Sequence, residues 1–359
     1  MNSVEPAVAL QRRKVGRTDV SVTCLGLGGG ALGGLYDPVP EDDAVEAVQR
    51  AYESGIRYFD VAPMYGHGRA EERMGRGLAG VDRDSYVLSC KVGIVIEPTR
   101  TGNAPEVEEH YADPFLLEGG FDFSYDGAMR SLEGSLKRLG TDRIDIVYIH
   151  DPDEADSCLP PDQRSGADHF DEVMDGIYRA LHEMRDQGVI RAIGVGLNGT
   201  EMLTRFAKAG DFDVFLLAGR YTLLEQHGLD DLFPICREKG ISLVIGGVFN
   251  SGILATGASD PNATYNYAKA DPAALARVRE IEEVCGAHGV PLPAAALQFP
   301  LGNDVVAAVI PGVRTPSEVG VNVAHIARAI PSDLWEYLPA AGLVDERATL
   351  PTGPLVERA

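Results

Sequence analysis

Sulfur is sparse in this chain and nowhere concentrated. Five cysteines (Cys24, Cys90, Cys158, Cys236 and Cys285) are scattered with no C-x-x-C pair, so neither a disulfide framework nor a zinc site is indicated, and no metal is expected. Positive charge is also short: 32 Lys and Arg against 54 Asp and Glu leave a formal charge of −22. That is the opposite of the basic footprint of a nucleic-acid surface. No apolar run reaches the roughly eighteen residues of a membrane span. The start, MNSVEPAVALQRRK, puts its basic residues after a short apolar patch, the wrong order for a secretion signal. Linkers and low-complexity tracts are missing. These absences predict a cytoplasmic protein with a small-molecule substrate and no nucleic-acid or membrane partner, acting as a monomer or homodimer. They also predict one domain over residues 1–359, with a core of about 12–341.

What is there is an alternation of strand-like and helix-like segments in a chain that is 45% hydrophobic. The strand-like runs are VTCLGLG (22–28), IRYFDV (56–61), SYVLSCKV (85–92), RIDIVYIH (143–150), VIRAIGVG (189–196), FDVFLLA (212–218), GISLVIGG (240–247) and VVAAVIP (305–311). Most are almost continuously apolar, as strands buried on both faces are. Between them, Met129, Leu132, Leu136 and Leu139 mark one helical face ended by Gly140, and Val173, Met174, Ile177, Leu181 and Met184 another closed by Gly188. Units recur roughly every 35 to 45 residues, the rhythm of βα repeats, which predicts an α/β fold, a (β/α)8 TIM barrel. Long segments at 93–124, 151–169 and 248–270 follow strand C-termini, where barrels build their sites. Residues 342–359 read as a loose tail. GGGALG at 28–33 matches G-x-G-x-x-G, but the chain runs on into LYDPVPED and a helix is expected only near Asp42, so the dinucleotide-fold motif lacks its context. It reads instead as a flexible glycine loop at the barrel mouth.

The strand ends carry charge that a buried strand tolerates only for a reason. Asp60 ends the second run, with Tyr65 in the loop after it; Lys91 ends the third and His150 the fourth. By alternation Lys91 shares a face with Ser89 and Val87, and His150 with Tyr148 and Ile146. If those faces point inward, the four meet at one mouth, Asp60 pairs with Lys91, and the ammonium lies beside Tyr65 and lowers its pKa. Such a tyrosine moves protons near neutral pH. Taken singly, the aspartate could be a structural ion pair and the lysine a snorkelling side chain.

The blocks GIRYFDVAPMYGHGRAEERMGRGL, SCKVG, YIHDPD and IPGVRTPSEVGVN resemble the aldo-keto reductase superfamily over nearly the whole chain. FDFSYDGAMRSLE, DFDVFLLAGRYTLLEQ and GGVFNSGILATG are similar to its bacterial branch of L-fucose, D-threo-aldose and pyridoxal 4-dehydrogenases. The resemblance implies Asp60, Tyr65, Lys91 and His150 as a catalytic tetrad. It implies an NAD or NADP cofactor held by Asn198 at the nicotinamide amide, Tyr221 stacked on the nicotinamide, and Phe249, Asn250, Gly252 and Leu254 along the pyrophosphate. Gly312 and Arg314 would meet the adenosine phosphate or ribose, and Glu318 and Asn322 the adenine. One departure is Ala218, where many members have glutamine; one amide contact is unaccounted for, and Arg220 stands close by. The residues alone support part of this: Thr315, Pro316 and Glu318 form a capping box at a helix N-terminus, a phosphate-binding feature.

The expected activity is NAD(P)-dependent oxidation of the anomeric carbon of a small aldose, or of pyridoxal, to a lactone, with NAD favoured because Arg314 is the only basic residue in its segment. Two alternatives stand beside it: a general NADPH-dependent aldehyde or ketone reductase, and a non-catalytic nicotinamide-binding regulatory barrel. Glu97, Glu106, Glu108, Glu109, Asp113, Asp151, Asp153, Asp156 and Asp162 in the long segments suit a hydroxylated ligand better than an apolar one.

Overall fold

The computed structural model describes residues 9–98, 111, 117–155 and 166–356. Eight parallel strands form its centre: β1 (Leu27–Gly28), β2 (Tyr58–Asp60), β3 (Val87–Val92), β4 (Ile146–His150), β5 (Ala192–Leu197), β6 (Val214–Ala218), β7 (Ser242–Gly246) and β8 (Val306–Ile310). Each pairs with the next in sequence, and the parallel bridges Leu25 to Val309 and Gly28 to Gly312 join β1 to β8. The sheet therefore closes into the expected (β/α)8 barrel. Val87, Ile146, Ala192, Val214, Leu216, Val244 and Ile310 fill its interior, while a second and larger apolar layer lies between the barrel and its helices. Among the described residues no helix is long and apolar enough to cross a membrane.

Several boundaries differ from expectation. The run 22–28 divides: Ser21–Thr23 pairs antiparallel with Arg12–Lys14 outside the barrel, and only Leu27–Gly28 joins the sheet. The helix Tyr125–Leu139 is capped by Ser124, which accepts from Gly127 N–H at 3.0 Å, and by left-handed Gly140. Its buried face is Ala128, Ser131, Leu132, Ser135 and Leu139, so Met129, 43% exposed, is not core. The helix expected to close at Gly188 breaks at Gly176, where a Cβ would lie 2.2 Å from the Phe123 carbonyl oxygen. After β3 the chain is not structureless: Ile94–Pro98 pairs antiparallel with Leu117–Phe121. The tail is not loose either. Leu343, Val344, Ala348 and Leu355 are buried, and Gln11 N–H donates to the Leu355 carbonyl at 2.9 Å. Apolar residues spaced through a Gly- and Pro-rich stretch pack without helical or strand periodicity, which pattern reading does not register.

The glycine loop is packed rather than free. Gly29 N–H donates to the Asp60 carbonyl at 2.7 Å, and a Cβ on Gly33 would lie 2.6 Å from the Tyr65 carbonyl carbon. The glycines let one mouth loop rest on the backbone that carries Asp60 and Tyr65. The following helix begins at Glu41.

Candidate active site

Strand alternation turns Asp60, Lys91 and His150 inward at the C-terminal rim, each no more than 5% exposed. Lys91 Nζ lies 2.6 Å from Asp60 Oδ2 and 3.3 Å from the Val61 carbonyl oxygen. It also lies 4.7 Å from the Tyr65 ring centroid. The His150 ring stands edge-on to Tyr65 with centroids 5.8 Å apart, and Tyr111 stacks on Tyr65 at 6.2 Å. The four residues expected at one mouth are brought together there.

The electrostatics depart from expectation. Burial pushes the Tyr65 phenol well above its ordinary range, and Asp60 and Asp151 push the same way. Lys91 does not produce the anticipated lowering, because its charge faces the Asp60 carboxylate directly. Tyr65 is thus held protonated, ready to donate to a carbonyl oxygen; as a base it must first lose that proton. Burial, aided by Lys91, drives His150 well below the usual imidazole range, so it is neutral.

Asp151, whose φ of 42° is in the left-handed region, places Oδ2 3.3 Å from His150 Nε2. Burial first, then Glu154 and Asp153, raise its carboxyl well above the carboxylate range. The two groups are thus in polar contact, each pushed by burial toward its uncharged form. Sequence reading placed Asp151 in the loop without a role at the centre; its place directly after a strand-end histidine was the available signal.

A cavity of about 950 Å³ runs from this centre to the N-terminus of the helix Pro316–Ala327. Asn198, Phe249, Asn250, Gly252, Gly312, Arg314, Glu318 and Asn322 all line it. The segment 247–252 winds through positive φ at Gly247, Asn250, Ser251 and Gly252, which presents backbone and small side chains to the cavity, a form suited to a pyrophosphate. Thr315 caps the helix, accepting from Glu318 N–H at 3.3 Å. Arg314 is held by Glu318 at 3.1 Å and by Asp37 at 3.3 Å. The donor set and the elongated shape fit a nicotinamide dinucleotide.

Two expected contacts do not reach the cavity. Tyr221 is fully buried, with its ring 4.4 Å from Phe233 and 5.5 Å from Phe299. The backbone reverses at Gly219 (φ 69°) and turns that side chain into the outer core, so it does not stack on a ligand in the cavity. Leu254 is likewise fully buried, on the short helix Ile253–Thr256. At the floor, Ala218 pairs with Gly246, and neither residue type has a side-chain amide to offer. Arg220 donates instead to Asn266 at 2.7 Å, and Asn198 donates to Glu154 at 3.0 Å. Of the acidic residues expected to wall the pocket, Asp151 does so, joined by Glu154, which was not among them. Glu97 and Asp153 are placed away from the lining, and Glu106, Glu108, Glu109, Asp113, Asp156 and Asp162 lie outside the described residues.

The chain is similar to known proteins over nearly its whole length. The chain is 38% identical over 344 residues to a pyridoxal 4-dehydrogenase of Microbacterium luteolum, covering 94% of this chain and 98% of that one. It is 35% identical over 346 residues to a D-threo-aldose 1-dehydrogenase of a Pseudomonas species, covering 96% and 99%. In fold it is similar to an aldo-keto reductase of Bacillus halodurans, with a TM-score of 0.71 at 22% identity over 94% of this chain and 99% of that one. The profile of the aldo/keto reductase family matches residues 24–342, and the chain belongs to that family of oxidoreductases.

Proposed function

We propose that the protein is a dehydrogenase of small hydroxylated lactols, oxidising the anomeric carbon of an aldose, or of cyclised pyridoxal, to a lactone with NAD⁺. The coarser activity, NAD(P)-dependent hydride transfer on small carbonyl or hydroxyl compounds, follows from the family. The observation that carries the finer reading is the polar wall beside Tyr65: the Asp151 carboxyl, Glu154 and Asn198 line the cavity next to the tetrad. Buried sugar hydroxyls need such partners, whereas an apolar aldehyde makes no use of them. Two relatives named for an aldose and for pyridoxal support the same class.

A bound oxidised nicotinamide supplies the hydride acceptor. The chain supplies the rest. Tyr65 takes the hydroxyl proton in oxidation and returns it in reduction, His150 orients the substrate oxygen as a neutral group, and Lys91 with Asp60 fixes the field around the phenol. For the adenosine end, Arg314 is already engaged by two carboxylates, which supports a 2′-hydroxyl over a 2′-phosphate and hence NAD over NADP.

The test compares kcat/KM for L-fucose, D-arabinose, L-galactose and pyridoxal with NAD⁺ against hydrophobic aldehydes with NADPH. A lactol-forming substrate should lead. A hydrophobic aldehyde ahead by about tenfold would sink the substrate reading while leaving the tetrad in place.

A further inference from the structure

Below the Lys91–Asp60 pair, the barrel interior is polar where branched apolar side chains usually fill it. Tyr58, Ser89 and Tyr148 face inward, each two residues before Asp60, Lys91 and His150, and all three are 0% exposed. The Tyr148 and Tyr58 hydroxyls are 3.0 Å apart, Ser89 Oγ is 3.2 Å from the Tyr58 hydroxyl, and Ser89 Oγ is 2.7 Å from Asp60 Oδ1. Room for the rings comes from glycines on neighbouring segments: a Cβ on Gly26 would lie 2.9 Å from Tyr58 Cδ1, and one on Gly194 2.9 Å from Tyr148 Cδ1.

The direction of the Ser89 proton follows from what each group can do. A carboxylate only accepts, and each hydroxyl has one proton to give. The Ser89 hydroxyl aims at both Asp60, at 2.7 Å, and the Tyr58 oxygen, at 3.2 Å, and its one proton goes to the nearer, charged acceptor; the Tyr58–Tyr148 contact can run either way. The Ser89 dipole thus points at the Asp60 carboxylate, with the two phenols packed behind it. We propose that Ser89 is a positioning residue that disperses the Asp60 charge and so sets the pH at which Tyr65 exchanges its proton, with Tyr58 and Tyr148 holding its hydroxyl in place. The proposal rests on the reading of Tyr65 as the proton carrier.

The sign is fixed by the surroundings. Asp60 and Asp151 raise Tyr65, as do Tyr267 and Cys90 more weakly. Lys91 faces the ring from β3, His150 from β4, and Tyr111 stacks on it. Of these groups only Asp60 is touched by the hydroxyl chain. A donor to a carboxylate reduces its outward field. Removing the Ser89 hydroxyl, or loosening it, strengthens the Asp60 field and raises Tyr65 further.

The experiment compares Ser89→Ala, Tyr58→Phe and Tyr148→Phe with the wild type. The readouts are the pH midpoint of the oxidation rate and, independently of turnover, NMR titration of tyrosine labelled at its phenolic carbon, with Tyr65→Phe to assign the signal. Wild-type turnover of a small substrate, measured first, tests the oxidoreductase reading separately. The midpoint should move up by about one pH unit in Ser89→Ala, about half a unit in Tyr58→Phe and least in Tyr148→Phe, with cofactor affinity unchanged. A purely packing role would lower the melting temperature and leave the midpoint in place. Equal midpoints in all four proteins, a downward shift, or shifts unrelated to distance from Asp60 overturn the proposal.

Discussion

At one end of the cavity Lys91 and Asp60 form an ion pair with side chains 1% and 2% exposed; at the other, Arg314 and Asp37 form one with side chains 45% and 69% exposed. The first pair lies in low dielectric, where water and salt do not screen it and where losing one partner leaves an uncompensated buried charge. The second is screened, and exposed pairs of its kind contribute about 0–1 kcal/mol. One barrel rim thus holds a rigid buried pair and an adjustable exposed one. Changes at the first should be large and insensitive to salt; changes at the second should be small and salt-dependent.

The sharpest way to break this comparison is at Tyr65. Tyr65→Phe keeps the ring beside His150 and Tyr111 and removes only the phenolic hydroxyl. Turnover should fall by about a hundredfold to ten-thousandfold, with cofactor affinity close to that of the wild type. Retention of more than about a tenth of the activity would remove Tyr65 from the proton-carrying role.

How much of this could be read from the chain depends on whether a residue's role is local. Asp60, Lys91 and His150 were legible because each is a polar interruption at the end of an apolar strand, and alternation alone orders their faces. Ser89 and Tyr148 were visible as sharing those faces, yet nothing local revealed that both hydroxyls contact that of Tyr58. Tyr221 was misplaced because a turn at Gly219 decides its direction, and Met129 because a helix face shifted by one residue is compatible with the same spacing. One of the two partners of Arg314 lies 277 residues away, at Asp37, beyond any motif.

A middle-sized effect is expected where the chemical centre carries a cost. Asp151 is raised by burial and by Glu154 and Asp153, so its folded pKa lies above its unfolded one. Such a group contributes stability that is fully present below the unfolded pKa and lost as pH rises through the folded value. Above its unfolded pKa the wild type therefore loses that contribution progressively. Asp151→Asn should therefore be more stable than the wild type at pH 7, by about 1 kcal/mol, and the gap should close below about pH 4. His150 behaves oppositely: lowered by burial, it favours the fold above its unfolded pKa and opposes it as pH falls. Because both proteins keep His150, the difference between their denaturation curves isolates Asp151. A gap that widens on acidification would reverse the assigned shift.

The smallest effect belongs to the exposed pair. Glu318 is a poor place to test it, since its carboxylate also accepts from the Arg314 backbone N–H at 2.6 Å and its removal would disturb the loop. Asp37 touches only the guanidinium end of Arg314, at 3.3 Å, and stands where it would repel a phosphate approaching that cation. Asp37→Asn should lower KM for NADP⁺ by a few-fold, the size an exposed pair allows, and leave KM for NAD⁺ unchanged. Raising the ionic strength should shrink the difference, because the charges lie within reach of counterions. Equal changes for both cofactors would mean that Arg314 senses the adenine or ribose, and the discrimination against a 2′-phosphate would then reside elsewhere on the rim.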